Sequence, residues 1–248
     1  MPMRERLWVA LDVETLKEAE GLLERLTGLP ERIGAKIGSQ LFTAAGPAAV
    51  ETVLKRGFSV FLDLKFHDIP NTVVAACREA VRLGVTLCNV HAAGGSEMLR
   101  RAAEAVAETA TREGLPRPKL LAVTVLTSTN AETLVEIGVS NPLAAQVTRL
   151  ARLADACGLD GVVASPHEIA PVRAVVDRKD FLIVTPGVRP RGVALHDQKR
   201  VLTPAESLRA GADYLVIGRA ILNATDPLRA IEEIKAEMKT EEINANSQ

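Results

Sequence analysis

The sequence predicts an α/β protein folded as one (β/α)8 barrel of the TIM type, and three observations predict it. Short apolar runs alternate with longer amphipathic ones along the whole chain. The runs number eight in 248 residues, close to the ~250 typical of this architecture. No linker rich in proline, glycine or serine and no low-complexity stretch divides the chain, so residues 1–248 read as one domain. The apolar pattern stops near Thr240, and residues 240–248 read as a frayed tail.

The strand-like runs, too short for amphipathic helices, lie at residues 7–11, 33–37, 59–64, 86–91, 119–125, 161–164, 181–185 and 214–217. Helical spacing fills the intervals, for example at 15–26, 48–56, 72–83, 98–111 and 143–157, with a last helix near 227–238. Gly57 and Gly84 follow two of these helices, as C-terminal glycines commonly do. Asp226-Pro227 reads as an N-cap followed by proline in the first turn. Strands separated by single helices pair in parallel through right-handed crossovers, and eight such units suit a closed barrel better than an open sheet.

Composition excludes several function classes. A chain that is 47% hydrophobic and 25% charged buries a large core and is not disordered. Its 31 acidic and 30 basic side chains nearly cancel, so no global field draws it to nucleic acid or a membrane surface. No run of about 18 residues is free of polar groups, which argues against a membrane span. Cys77, Cys88 and Cys157 form no paired motif and suit buried thiols in a reducing compartment. The apolar stretch after Arg6 is too short for a signal peptide, and a cytoplasmic protein is the expectation.

Active sites of this barrel sit at the C-terminal ends of the strands, and unusual polar residues gather there. Asp12 ends the first run, Lys36 lies near the end of the second, and Asp63 and Lys65 end the third. Period-two alternation puts Asp63 and Lys65 on the face opposite Leu62, Leu64 and Phe66, hence toward the barrel mouth. Lys36 shares its face with Gly34 and Gly38, which leaves room for a long side chain. Gly187 and Arg189 follow the seventh run and Gly218-Arg219 the eighth, where barrels often bind phosphate. Glycines let backbone N–H groups approach an anion, and arginine offers it a planar fork. The polar segment 190–200, with Gly192, could fold over a ligand as a lid.

The block Asp63-Leu64-Lys65-Phe66-His67-Asp68-Ile69-Pro70-Asn71-Thr72 carries Asp-x-Lys-x-x-Asp-Ile-x-x-Thr without a gap. With Leu11-Asp12, Lys36-Ile37-Gly38, Thr185-Pro186-Gly187-Val188-Arg189 and Ile217-Gly218-Arg219 in order, the chain resembles the orotidine 5'-phosphate decarboxylase family, bacterial type. The resemblance implies decarboxylation of orotidine 5'-phosphate to UMP in de novo pyrimidine biosynthesis, with no cofactor and no metal. It implies that Asp12 and Lys36 contact the ribose hydroxyls, Asp63 lies beside the substrate carboxylate, and Lys65 protonates C6. Asp68, Ile69 and Thr72 would reach the neighbouring site of a homodimer, Asp68 joining Lys36, Asp63 and Lys65 in the catalytic array. Thr127 would hydrogen-bond the pyrimidine, Pro186 would line the substrate site, and Arg189, Gln198, Gly218 and Arg219 would close on the 5'-phosphate.

Elementary chemistry ranks the roles within the array. Loss of CO2 leaves a carbanion with no cofactor to accept its electrons, so a fixed ammonium in a site closed to water must stabilise it. Repulsion between Asp63 and the substrate carboxylate amounts to roughly 4 kcal/mol at ~4 Å and an effective dielectric near 20. Enzymes supply about 8–23 kcal/mol, so carbanion stabilisation by Lys65 ranks first and stress by Asp63 second.

Other readings weigh less. Metal-dependent sugar-phosphate enzymes on similar barrels share the Asp-x-Lys ending but want a carboxylate where Lys36 stands, and its ammonium would repel Mg²⁺. A non-catalytic nucleotide sensor would not need the Asp63–Lys65 pair. Asp12 taken alone could be an N-cap for the first helix. His67 reads as a packing residue that points away from Lys65, His91 as equally able to line the pocket or not, and His167 and His196 as surface residues.

Overall fold

The computed structural model describes residues 6–29, 33–190 and 202–245. Among them eight parallel strands close into a barrel in sequence order: β1 (Leu7–Ala10), β2 (Gly34–Gly38), β3 (Ser59–Phe66), β4 (Leu87–His91), β5 (Lys119–Val123), β6 (Gly161–Val163), β7 (Leu182–Pro186) and β8 (Tyr214–Ile217). Closure is direct, with Leu7 opposite Leu215 and Val9 opposite Ile217. The crossovers are α1 (Leu16–Leu26), α2 (Ser39–Ala45), α3 (Pro47–Lys55), α4 (Pro70–Arg82), α5 (Gly95–Glu113), α6 (Ala131–Glu136), α7 (Leu143–Ala156), α8 (Ile169–Arg173) and α9 (Pro204–Arg209). After β8 come α10 (Arg219–Leu222) and α11 (Pro227–Ala245).

Strand alternation divides the core into two layers. Outward residues such as Val9, Ile37, Leu62, Val90, Ala122 and Leu215 pack against the helices. Inward residues, among them Trp8, Phe61, Leu121, Val184, Tyr214 and Val216, fill the barrel itself. The single Trp8 meets Phe61 edge-on at 6.1 Å and Tyr214 at 6.0 Å, a geometry worth about 0.5–1.5 kcal/mol per pair beyond area burial. Gly34 accommodates this ring, because a Cβ there would lie 2.2 Å from Trp8 Cε3. The space expected for Lys36 at Gly34 is therefore taken by Trp8. Gly38 does serve Lys36, since a Cβ there would stand 3.2 Å from its Nζ.

Helix ends follow their local sequence. Thr15 caps α1 in a reciprocal box with Glu18, so Asp12 is not the cap. Gly57 and Gly84 adopt φ of 81° and 72° just past α3 and α4, which side chains with a Cβ rarely do. Asp226 Oδ1 accepts the N–H of Leu228 at 3.1 Å and of Arg229 at 3.3 Å, capping α11. Helix α11 continues to Ala245, past the point at which the tail was expected to fray. The apolar stripe ends there, but Lys239, Glu241 and Glu242 are good helix formers and propagate a helix already nucleated. No helix of the described residues is long and apolar enough to cross a membrane.

Candidate active site

The C-terminal ends of β1, β2, β3, β7 and β8 surround one cleft of about 840 Å³, its open mouth included. Asp12, Lys36, Asp63, Lys65, Thr127, Pro186, Arg189, Gly218 and Arg219 all line it. Its floor is Phe61, Val163 and Val216, the top of the inner apolar layer. Lys36 projects from the middle of β2 and is 8% exposed, and Asp63 from β3 is 9% exposed, so both charges need partners on the spot. Lys36 Nζ lies 3.1 Å from Asp12 Oδ1 and 3.3 Å from Asp63 Oδ2. Lys65 Nζ donates to Asp63 Oδ1 at 2.8 Å. The result is a chain Asp12–Lys36–Asp63–Lys65 of alternating sign, whose two ends, Asp12 and Lys65, are more exposed than the Lys36–Asp63 pair between them.

Simple alternation does not account for Lys65. Pairing of β3 with β4 jumps from Leu62 opposite Cys88 to Phe66 opposite Val90, so β3 bulges between them. Within the bulge Lys65 has φ of 52°, the one non-glycine residue at positive φ among those described. That left-handed conformation costs roughly 1–2 kcal/mol for an L-residue and must be held from outside. Asn89 of β4 supplies the hold: its Oδ1 accepts the Lys65 backbone N–H at 2.8 Å, and its Nδ2 donates to Asp63 Oδ1 at 2.7 Å. Asn89 is fully buried, and sequence reasoning passed over it. The signal was a lone amide inside the apolar run of β4, where an unpaired polar group would be strongly disfavoured.

The phosphate-type features converge on the β7–β8 side of the mouth, next to the Asp12 end of the chain. Gly187, at φ of 78°, turns the chain after β7 and sends Arg189 inward, where it is 6% exposed. Gly218 separates β8 from α10 and permits close approach to the end of β1, since a Cβ there would meet Ala10 Cβ at 3.2 Å and Asp12 Oδ2 at 3.3 Å. Arg219 then opens α10. Gln198 and most of the expected lid, residues 191–200, lie outside the described residues.

Asp68, Ile69 and Thr72 are not among the residues lining this cleft. They sit exposed where β3 passes into α4, with Ile69 66% exposed and Asp68 Oδ1 accepting the Ile69 N–H at 2.6 Å. His91 also stays outside the lining and stacks on exposed His67 at 5.3 Å. Its Nδ1 is buried without a hydrogen-bond partner, and burial first, then the charges of His67 and Lys65, push its pKa below the ordinary 6.5. The unfolded chain therefore binds a proton at this residue before the folded one does. The resulting stability is complete above pH 6.5 and is lost as pH falls from there through the folded pKa. His91→Gln should flatten that acid slope, by at most about 1.4 kcal/mol per pH unit, in urea unfolding measured on either side of the window. An unchanged slope would show that His91 does not drive it.

The family model described as Orotidine 5'-phosphate decarboxylase / HUMPS family matches residues 5–234. The chain belongs to this family. It is 52% identical over 236 residues to an orotidine 5'-phosphate decarboxylase of Trichlorobacter lovleyi, covering 95% of each chain. A Moorella thermoacetica protein of the same name is 53% identical over 240 residues, covering 96% of this chain and 94% of its own. The crystal structure of orotidine 5'-phosphate decarboxylase from Lactobacillus acidophilus superposes with a TM-score of 0.82 at 38% identity, covering 94% of this chain and 98% of that one. In a family defined by this barrel, the cleft above the Asp12–Lys36–Asp63–Lys65 chain is the candidate active site.

Proposed function

We infer that this chain is a carboxy-lyase that converts orotidine 5'-phosphate to UMP in pyrimidine biosynthesis, with Lys65 stabilising and then protonating the C6 carbanion. One observation carries the mechanism: the Lys65 ammonium is fixed on Asp63 in a cleft that Arg189 and Arg219 also line. With the phosphate on the arginines, the pyrimidine C6 comes to the lysine. The C6–carboxylate bond breaks, CO2 departs, and the electron pair left on C6 takes a proton from Lys65 Nζ, which solvent later restores. Asp12 and Lys36 contact the ribose hydroxyls, Thr127 hydrogen-bonds the pyrimidine, Pro186 lines the site, and Gly218 and Gln198 assist at the phosphate.

Ground-state stress is secondary in this proposal. Asp63 already has Lys36, Lys65 and Asn89 as partners, so its charge is largely offset before substrate arrives. Catalysis without a divalent cation is supported by Lys36, whose ammonium occupies the point between Asp12 and Asp63 where a metal would have to bridge them. The working unit is proposed to be a homodimer, since Asp68, Ile69 and Thr72 face solvent outside their own chain's cleft, as residues serving a neighbour must. A cytoplasmic location accords with three buried free thiols. Orotidine 5'-phosphate absorbance followed with and without EDTA should fall at the same rate in both. No change in absorbance would sink the proposal, and loss in EDTA restored by Mg²⁺ would sink its metal-free part.

A further inference from the structure

We propose that Asn89 is the positioning residue that sets the reacting lysine, an inference that rests on Lys65 being the proton donor. Lys65 meets Asp63 from the bulged end of β3, where its backbone turns left-handed. Asn89 holds both halves of the turn with one short side chain. Its Oδ1 fixes the Lys65 backbone and its Nδ2 fixes the carboxylate against which the Lys65 ammonium rests. The amide orientation follows from the partners: a backbone N–H only donates and an ionised carboxylate only accepts. No other residue type meets the demand equally. Aspartate lacks the donor, serine cannot span two partners, and glutamine is a methylene too long for a site with no exposed surface. Misplacing Lys65 by a fraction of an ångström would weaken its interaction with a charge present only in the transition state, so the defect should fall on kcat.

The test compares Asn89→Asp and Asn89→Leu with the wild type and Lys65→Ala, all normalised to folded protein by UMP-binding stoichiometry. Both Asn89 variants should lose about 10²-fold in kcat, with a much smaller change in KM because the phosphate arginines are untouched. Their pH dependence should differ. In Asn89→Asp the new carboxylate faces Asp63, with Lys65, Lys36 and, two residues along β4, His91 as the other titratable groups nearby. As pH falls from about 8 to about 5.5 the two carboxylates come to share a proton, which restores a donor toward Asp63. The deficit relative to wild type at each pH should therefore shrink in Asn89→Asp and stay constant in Asn89→Leu, while titration of His91, common to all, cancels in the ratio. Wild-type kcat in Asn89→Asp, or the same pH-independent deficit in both variants, overturns the positioning role. Full activity in Lys65→Ala instead overturns the underlying assignment of the lysine.

Discussion

Lys65→Ala is expected to lower kcat by roughly 10⁴-fold or more while leaving the protein folded and able to bind UMP. Two separable contributions leave together. A positioned general acid is worth about 10²–10⁴ and a preorganised charge aimed at a developing anion about 10²–10³. Folding should survive because Asp63 keeps Lys36 and Asn89 as partners and the Lys65 side chain is already 35% exposed. Alanine inherits the left-handed backbone and its strain, whereas Lys65→Gly should be equally inactive yet relieved of that strain. Single-turnover rates and thermal unfolding of the two variants test both statements. If stress by Asp63 dominated instead, Asp63→Asn would lose more activity than Lys65→Ala, and that ordering would refute the ranking.

The place of Lys65 at the cleft was legible in the sequence, but the way it is held was not. Alternation and strand ends sufficed to bring Asp12, Lys36 and Asp63 to one mouth, because a barrel strand has only two faces and the outer one is apolar, while Lys65 was placed there by its position at the end of β3 alone. The bulge at Lys65 was not legible, since its φ is dictated by pairing with β4 rather than by local propensity. Asn89 stayed hidden for a related reason: its two partners come from another strand, and a single amide in an apolar run looks like ordinary variation. Gly34 was read as room for Lys36, whereas the neighbour that fills it, Trp8, belongs to β1 and meets it only after the strands pair. Past its packed stripe α11 runs on to Ala245, and residues 246–248 of the expected tail lie outside the described residues. Hydrophobic periodicity reports what packs on the core, and a helix with good formers outlasts its packed face.

Arg219→Ala should reduce kcat/KM for orotidine 5'-phosphate by roughly 10- to 10²-fold, matching a charge-assisted hydrogen bond of about 1.5–3 kcal/mol. In the proposed binding mode the reacting carbon lies at Lys65 and the phosphate at Arg219, so this loss is not expected to be chemical in origin. It is binding energy from a part of the substrate that does not react, which can appear in KM alone or, where it drives closure of the site, partly in kcat. The bare nucleoside, orotidine, separates these from a general weakening of the enzyme. Without a phosphate it makes no use of Arg219, so its low kcat/KM should be nearly the same in variant and wild type. Lysine at this position should recover only part of the loss, because a point charge lacks the planar fork that two phosphate oxygens accept. An equal loss for nucleotide and nucleoside would mean that Arg219 supports the barrel end around Gly218 rather than the phosphate, and the rim occupied by Arg189 would then have to bind the anion by itself.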